Sequence, residues 1–368
     1  MDEQSATKPT VAIIGGGYAG VNAAKALDEV ADVVLIEPKD AFMHNVAALR
    51  ALAAPAWLPK IYFGYQGLLS RGRVVRDRAV AVDAGQVTLA SGARISAHFI
   101  VLATGSSYPF PAKSDVDSSA AAQDKTRAAH AALAAASGVL LVGAGPVGIE
   151  LAGEIKVVWP DRQVTIVDLA DDVLGASFAA ELKAQARRQL SDIGIELVLG
   201  SPLRENPPTA PAELRQFTVV TESGIKVTAD IWFRCYGVAP VSGYLTGELA
   251  AAADQEGFIT VTPYLQVTGQ ERVFAIGDVA AADAKMAGRA GRQAQLVAAN
   301  IRALITGAGE LAAYQPLPPA IIIPIGPDGG TGQLPDGQLA APEFVAQLKG
   351  RHMMVDRYAE LFGVPVAG

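Results

Sequence analysis

Two short stretches decide the fold: Val11-Ala-Ile-Ile-Gly-Gly-Gly-Tyr-Ala-Gly20 and Val139-Leu-Leu-Val-Gly-Ala-Gly-Pro-Val-Gly148. In each stretch an apolar run passes into the pattern G-x-G-x-x-G and then into helix-forming residues. Uninterrupted apolar runs are typical of parallel strands that are buried on both faces. The first glycines, Gly15 and Gly143, lie 128 positions apart (143 − 15). We therefore predict an α/β chain with two Rossmann-like, three-layer ββα domains that each bind a dinucleotide.

The first loop has the three glycines that a diphosphate cradle needs. Gly15 permits the tight turn from strand to helix, Gly17 lets the backbone approach the diphosphate, and Gly20 lets helix and strand pack closely. The anion then lies at a helix N-terminus, where free N–H groups and the helix dipole favour it. Glu37 ends the next strand, 22 positions after Gly15, where a carboxylate accepts hydrogen bonds from an adenosine ribose. The alternative is a structural glycine turn with a surface glutamate.

The second loop repeats this arrangement with Gly143, Gly145 and Gly148. Asp168 ends the following strand, 25 positions after Gly143. A carboxylate there favours a free 2′-hydroxyl and repels a 2′-phosphate, so we expect NADH, with NADPH as the second candidate. A helix cap or loop acid is the alternative for Asp168. Glu150 lies in the first turn of the second helix; it either stabilises the helix dipole or positions the nicotinamide carboxamide.

Two further pairs stand where strands end, Thr104-Gly105 and Gly277-Asp278. Asp278 could accept a hydrogen bond from the ribityl chain of a flavin, although Gly-Asp is also a common turn pair. A helix is expected to begin near Met286. Its N-terminus could direct N–H groups at the pyrimidine end of the flavin and stabilise negative charge there.

The repeat also predicts the domain organisation. We place a discontinuous FAD-binding domain at residues 1–112 and 248–312, an inserted NAD(H)-binding domain at 113–247, and a small α+β region at 313–368. The segment from Ser106 to Lys125 is rich in Pro, Ser and Ala and is expected to be a linker. Residues 74–82 are expected to form one strand of a small antiparallel layer.

The composition excludes several classes of protein. Apolar residues make up 51% and charged residues 18%, which is a globular composition. The net charge of −7 makes nucleic acid a poor partner. A single cysteine, Cys235, allows neither an intrachain disulfide nor a redox-active dithiol, and fits the reducing cytoplasm. We expect no metal site, because the four histidines are scattered without ligand spacing: His44, His98, His130 and His352.

Three segments bear on contact with a membrane. Met1 to Thr10 lacks the basic and apolar regions of a signal peptide, and Asp2 excludes N-myristoylation. Ala128 to Ile149 has no charged residue, but its glycines, serine and proline indicate a helix end, a strand and a loop in place of a span. Glu343 to Phe362 combines apolar residues with the basic residues Lys349, Arg351 and Arg357. It either packs on the body or a second subunit, or docks on a membrane surface.

Several motifs together resemble the ferroptosis suppressor protein group, which is apoptosis-inducing-factor-like and related to type II NADH dehydrogenases. These flavoproteins have the fold of pyridine nucleotide-disulfide oxidoreductases. The resemblance covers nearly the whole chain, and its most specific part is His44–Arg50. The segments that carry it are Val11–Gly20, His44–Arg50, Ala103–Pro111, Gly143–Glu150, and Ile276–Asp278 with Lys285–Ala287.

The resemblance implies FAD, oxidation of NAD(P)H and reduction of a quinone or similar acceptor. It places Glu150 near the nicotinamide, Lys113 at the linker beside the active site, and Met286 against the flavin; Glu150 and Lys113 are the candidate catalytic residues. Asp2 replaces the myristoylation glycine of the animal members, so we expect no stable membrane anchor, with peripheral contact left open. The residues implied to touch FAD are Gly15, Gly16, Gly17, Tyr18, Ala19, Gly20, Glu37, Arg50, Ala79 and Asp278.

The expected function is an FAD-dependent oxidoreductase, a monomer or homodimer, that passes hydride from NADH to FAD and electrons to a quinone-like small molecule. Without a dithiol, the flavin must meet its acceptor directly. One alternative is a reductase of a protein electron carrier. The carrier could bind at the basic residues Arg71, Arg73, Arg76 and Arg78. The other is a non-enzymatic protein whose flavin senses NADH.

Overall fold

The computed structural model describes residues 8–365. The expectations for the first residues, Asp2 included, lie outside this range. The strands are β1 (Thr10–Ile14), β2 (Asp32–Ile36), β3 (Ala41–Met43), β4 (Tyr62–Gly64), β5 (Arg73–Val75), β6 (Ala79–Val82), β7 (Gln86–Leu89), β8 (Arg94–Ser96), β9 (Phe99–Leu102), β10 (Ser106–Ser107), β11 (Gly138–Val142), β12 (Gln163–Val167), β13 (Ile195–Val198), β14 (Phe217–Val220), β15 (Lys226–Ala229), β16 (Ile231–Arg234), β17 (Ala239–Pro240), β18 (Val273–Ala275), β19 (Ile321–Pro324), β20 (Gly330–Gln333) and β21 (Leu339–Ala340).

The helices alternate with the strands in both halves of the chain. They are α1 (Tyr18–Leu27), α2 (Ala48–Ala53), α3 (Leu58–Ile61), α4 (Ser119–Ala135), α5 (Pro146–Val158), α6 (Ala180–Asp192), α7 (Ala287–Thr306), α8 (Pro342–Val345) and α9 (Val355–Phe362). A π-helical turn follows α8 at Ala346–Gly350. Within residues 8–365, none of these helices is long and apolar enough to cross a bilayer.

Two parallel sheets form the centres of two ββα sandwiches, as predicted. The first has the strand order β18-β9-β1-β2-β5 and the second β13-β12-β11-β16. In β1, Val11 and Ile13 face the core formed with α1 and α7, while Ala12 and Ile14 face the core beneath the β6-β7-β8 sheet. Because neighbouring residues of a strand point to opposite faces, both faces must be apolar, which explains the uninterrupted run.

The second sandwich repeats these layers. Helices α4, α5 and α6 cover one face of its sheet, and the hairpin of β14 and β15 covers the other. The chain returns to the first sheet as β18, which pairs in parallel with β9. The short strands β10 and β17 pair in an antiparallel ribbon where the chain passes between the two sandwiches.

Two expectations about local structure were wrong. The expected linker at 106–125 ends in a helix, because Ser118 caps α4 by accepting a hydrogen bond from the Ala121 N–H (3.4 Å). The expected strand at 74–82 is two strands. The first, β5, pairs in parallel with β2, and the second, β6, pairs in antiparallel fashion with β7.

The C-terminal region is a three-stranded antiparallel sheet, β19-β20-β21, followed by helices. Helix α9 packs on the first sandwich, where Tyr358 stacks on Phe42 (5.4 Å between ring centroids) and Phe362 stacks on Phe63 (5.6 Å). The end of the 343–362 segment therefore packs on the body, while Phe344 and Leu348 stay exposed.

Candidate functional site

Two glycines of the first loop are required by the fold itself. Gly15 has a φ of +102°, and a Cβ on it would lie 2.5 Å from the Ala103 carbonyl oxygen. A Cβ on Gly20 would collide with the Gly15 carbonyl oxygen. These contacts bring strand, turn and helix α1 together, as the predicted roles of the first and third glycines require.

Gly17 is different, because no contact within residues 8–365 requires glycine at this position. Its φ of −79° and ψ of −168° suit any residue, and a Cβ on it would meet no atom within 4 Å. Gly145 in the second loop has the same properties, with φ −75° and ψ −176° and open space around the Cβ position. Each is the N-cap of a helix without a side-chain cap, so each loop leaves an open space beside free N–H groups. This cradle fits a diphosphate.

The two predicted carboxylates lie in matching places. Glu37 accepts hydrogen bonds from the N–H of Gly16 (2.6 Å) and of Lys39 (3.0 Å). Asp168 accepts hydrogen bonds from the N–H of Ala144 (2.5 Å) and of Ala170 (2.8 Å). Each carboxylate is therefore fixed beside its own glycine loop, and its predicted contact with an adenosine ribose stays a prediction.

A cavity of about 630 Å³ opens beside the first loop. This volume lies within the range of cofactor and small-molecule sites. Gly20 packs beneath the loop outside the lining. The predicted residues that line the cavity are Gly15, Gly16, Gly17, Tyr18, Ala19, Glu37, Ala79, Thr104, Gly105, Lys113 and Asp278.

Asp278 is held in this cavity by two donors. The Ser106 hydroxyl donates to its Oδ2 (2.7 Å), and the Lys113 ammonium lies 3.1 Å from the same oxygen. Lys113 also donates to the Ser106 carbonyl (2.7 Å). Both donors use Oδ2, and among the residues that the structure describes no donor reaches Oδ1, so this oxygen is available to accept a hydrogen bond from a ligand. Lys113 therefore positions Asp278 and balances its negative charge. The sequence placed Lys113 beside the active site but did not predict this contact.

Arg50 and Met286 do not line the cavity. Arg50 is buried and pairs with Glu154 of α5 through Nη2 (2.7 Å) and Nε (3.0 Å), and it also donates to the Gly350 carbonyl. The guanidinium of Arg50 therefore joins the two sandwiches and the C-terminal region, and the implied contact of Arg50 with a flavin stays a prediction. Met286 is the residue before α7, and Ala290, one turn later, lines the cavity. The implied contact of Met286 with the flavin stays a prediction.

Glu150 lies one turn before Glu154 on α5 and outside the first cavity. Its Oε1 accepts a hydrogen bond from the Lys349 ammonium (2.7 Å), and both side chains are largely buried. Burial raises the pKa of Glu150, and Lys349 opposes this rise. Nothing in the sequence pattern singles out Lys349 as the partner, because 199 positions separate the two residues. The predicted contact of Glu150 with the nicotinamide stays a prediction.

His44, in the most family-specific motif, is fully buried behind the first loop. Its Nε2 lies 2.6 Å from the Met353 carbonyl oxygen, and its Nδ1 lies 3.0 Å from the hydroxyl of Tyr18. Nε2 therefore donates to Met353, and Nδ1 accepts from Tyr18. Burial lowers the pKa of His44 from 6.5 to about 4. The neutral ring thus connects the cavity wall to the C-terminal region.

This burial predicts a loss of stability in mild acid. Between pH 6.5 and about 4 the unfolded chain binds a proton at His44 that the folded chain does not, so stability falls as the pH falls through this window. The full loss from this residue is about 3 kcal/mol. We expect His44→Gln to flatten the pH dependence of the denaturant midpoint relative to wild type. The control variant His98→Asn changes an exposed histidine and should keep the wild-type slope of the midpoint against pH. An unchanged slope in His44→Gln would show that the buried His44 does not cause the loss of stability.

Cys235 is buried beneath the second loop, where a Cβ on Gly143 would meet the Cys235 backbone. Burial raises the pKa of its thiol to about 12, so it is a packed apolar residue without thiolate character. No cluster of metal-ligating side chains is found among residues 8–365.

The structure has two ββα sandwiches, and each has an uncapped glycine loop with a carboxylate bound to it. This arrangement is that of the class of oxidoreductases with two dinucleotide sites. Residues 9–301 match the family described as pyridine nucleotide-disulphide oxidoreductase. The chain belongs to this family and, within it, to the group of ferroptosis suppressor proteins and apoptosis-inducing factor homologs. The resemblance read from the sequence is thereby confirmed. The predicted class of protein, an NAD(P)H-dependent flavoprotein oxidoreductase, is confirmed with it.

The individual relatives span nearly the whole chain. Ferroptosis suppressor protein 1 of Xenopus laevis is 31% identical over 365 residues, and that of Taeniopygia guttata is 30% identical over 355; each comparison covers 94% of both chains. Among solved structures, the sulfide:quinone oxidoreductase of Aquifex aeolicus has a TM-score of 0.75 at 18% identity. That comparison covers 97% of this chain and 92% of the other.

Proposed function

We propose that this protein is an FAD-dependent NADH oxidoreductase that passes hydride from NADH to FAD and then electrons to a quinone-like acceptor. The observation that carries the proposal is the open space at Gly17 and Gly145, which the protein leaves free at two helix N-termini. A diphosphate at each helix N-terminus fits this open space and gives a reason for glycine at both positions.

FAD is proposed for the first site because its cavity has suitable groups at two separate places. Glu37 stands at one place for an adenosine ribose, and Asp278 stands at the other for a ribityl hydroxyl. A flavin mononucleotide would leave the Glu37 end without a partner. NADH is proposed for the second site because Asp168 is fixed at the second glycine loop, and a carboxylate there favours a free 2′-hydroxyl and repels a 2′-phosphate.

The bound flavin would supply the hydride acceptor and the electron donor. The protein's own residues bind the two cofactors and orient their reacting rings. The loop at Gly15–Gly17 holds the diphosphate, and Asp278, neutralised by Lys113, fixes the ribityl chain. We propose that Glu150, whose charge Lys349 balances, orients the nicotinamide from helix α5.

A small-molecule acceptor is proposed because Cys235 is inert and has no partner cysteine. Electrons must then leave the flavin directly. A quinone is the acceptor that the family resemblance implies. The single cysteine also supports a reducing, cytoplasmic location, with any membrane contact peripheral.

The test is steady-state oxidation of NADH by the FAD-loaded protein with a soluble quinone. Rapid turnover is expected. A long-lived charge-transfer complex with slow turnover would instead indicate an NADH sensor. Turnover that requires an added protein carrier would indicate a carrier reductase.

Coenzyme choice gives a further prediction. We expect Asp168→Ala to lower the ratio of kcat/KM for NADH over NADPH by roughly tenfold or more, because the repulsion of a 2′-phosphate is removed. Rates of flavin reduction with each coenzyme measure this ratio. Asp161→Ala, at an exposed turn, is the control and should keep the wild-type ratio. An unchanged ratio in Asp168→Ala would show that Asp168 does not contact the ribose.

A further inference from the structure

A tyrosine far along the chain holds the second residue of the first glycine loop. The Gly16 N–H donates to Glu37 (2.6 Å), and the Gly16 carbonyl accepts a hydrogen bond from the Tyr65 hydroxyl (3.0 Å). The Tyr65 side chain is almost fully buried, and its ring packs edge-on against Phe362 of α9 (5.9 Å between centroids). Because this hydrogen bond is buried, losing its donor would leave the carbonyl without a partner. Gly16 is thus fixed through both of its backbone groups.

The second loop has the same arrangement with a different donor. The Ala144 N–H donates to Asp168 (2.5 Å), and the Ala144 carbonyl accepts a hydrogen bond from the Leu174 N–H (3.1 Å). The difference in donor matches a difference in sequence between the two loops. A Cβ on Gly16 would lie 2.6 Å from the Tyr65 hydroxyl, whereas the second loop, with its backbone donor, has an alanine at the equivalent position. Glycine at position 16 is therefore what allows Tyr65 to reach the loop.

The fixed carbonyl of Gly16 sets the direction of the N–H that follows it. The Gly16 carbonyl and the Gly17 N–H belong to one planar trans peptide group, in which the two bonds point in opposite directions. Tyr65 holds the carbonyl and so turns the Gly17 N–H away from itself. Gly17 is the N-cap of α1, and no acceptor among residues 8–365 binds its N–H. This N–H is one of the free donors that a helix N-terminus offers to an anion.

We propose that Tyr65 is a positioning residue of the first site, which orients the Gly17 N–H for the diphosphate of FAD through the Gly16 carbonyl. This inference rests on the proposed function and adds to it a residue that no glycine-loop motif contains. The second loop needs no such side chain, because the backbone N–H of Leu174 takes the same place. Loss of the Tyr65 hydroxyl should therefore weaken the binding of FAD and leave the second loop as it is.

The test compares Tyr65→Phe with wild type, because phenylalanine removes the hydroxyl and keeps the ring. Dissociation of FAD from the holoprotein on dilution, followed by the fluorescence of the released flavin, should give a Kd about tenfold higher in the variant. NMR of holoprotein with isotope-labelled glycine should show the Gly17 amide proton shifted downfield in wild type, as a hydrogen bond to a phosphate requires. The shift should be smaller in Tyr65→Phe. A tyrosine that only packs would leave this amide signal unchanged.

Tyr62→Phe is the matched control. Tyr62 is also partly buried, but its hydroxyl donates to the sulfur of Met43 (3.6 Å) and not to the loop. This variant should keep the wild-type Kd for FAD and the wild-type signal of the Gly17 amide. ADP-ribose, which carries a diphosphate but cannot reduce a flavin, tests the second loop. Its affinity for the FAD-loaded protein should be the same in Tyr65→Phe and wild type.

Wild-type affinity for FAD in Tyr65→Phe would overturn the inference while leaving the proposed function intact. Weaker binding of FAD with an unchanged Gly17 amide signal would also overturn it, because Tyr65 would then act by packing alone. An equal loss of affinity in Tyr62→Phe would do the same. A wild-type protein that binds no FAD would overturn the proposed function as well.

Discussion

Gly17→Val is expected to fold like wild type and to purify without flavin. The backbone at Gly17 is extended, and its Cβ position is free of protein atoms, so the valine side chain costs the apoprotein little. The same side chain would occupy the space where a diphosphate meets the N-terminus of α1. We expect FAD affinity to fall by roughly a thousandfold, about 4 kcal/mol. Absorbance of the purified protein and titration with FAD measure the loss.

A matched variant separates this effect from a general cost of replacing glycine. Gly85 also has open space around its Cβ position, but it lies on the turn between β6 and β7. Gly85→Val should therefore keep the flavin, and circular dichroism should show both variants folded. Full flavin content in Gly17→Val would mean that the first loop does not hold the cofactor.

Gly145→Val should give the complementary result: a yellow, folded protein that NADH hardly reduces. Gly145 has the same extended backbone and the same free space as Gly17, but it lies at the second loop. Valine there would displace the diphosphate of NADH and leave the flavin site intact. We expect KM for NADH to rise by about a hundredfold or more, about 3 kcal/mol.

Flavin content is the internal control for Gly145→Val. Chemical reduction of its flavin by dithionite should proceed as in wild type, because the flavin itself is unaltered. Loss of flavin in this variant, or reduction by NADH at wild-type KM, would contradict the assignment of one dinucleotide to each loop.

The loops could be predicted from sequence because their determinants are local. Gly15, Gly17 and Gly20 stand within six residues, and the strand, turn and helix that they serve are continuous in the chain. Glu37 and Asp168 follow at the ends of the next strands, so the βαβ pattern alone places them beside their loops. The same locality explains why the helix expected near Met286 agrees with the structure, in which α7 begins at Ala287.

The contacts that were not predicted join residues far apart in the chain. Arg50 lies in a motif that the family resemblance ties to the flavin, yet its buried partner Glu154 is 104 positions away. Lys349 reaches Glu150 only because the C-terminal region folds back over α5. Such pairs depend on how the two sandwiches and the C-terminal region pack, which no local pattern encodes.

The helix at 119–135 shows a second limit. Proline and serine before it indicate a loop, and the loop does run through residues 108–117. Composition alone, however, did not show where the helix begins within the alanine-rich stretch. Several serines precede it, and each could have been the N-cap that Ser118 is in the structure.

The most direct test of the account is an anaerobic titration of the wild-type protein with NADH, followed by visible absorbance. If two loops hold FAD and NADH so that hydride passes between them, the purified or FAD-reconstituted protein is yellow and a stoichiometric amount of NADH bleaches its flavin band. A protein that takes up no FAD, or a yellow protein whose band NADH leaves unchanged, would contradict the account.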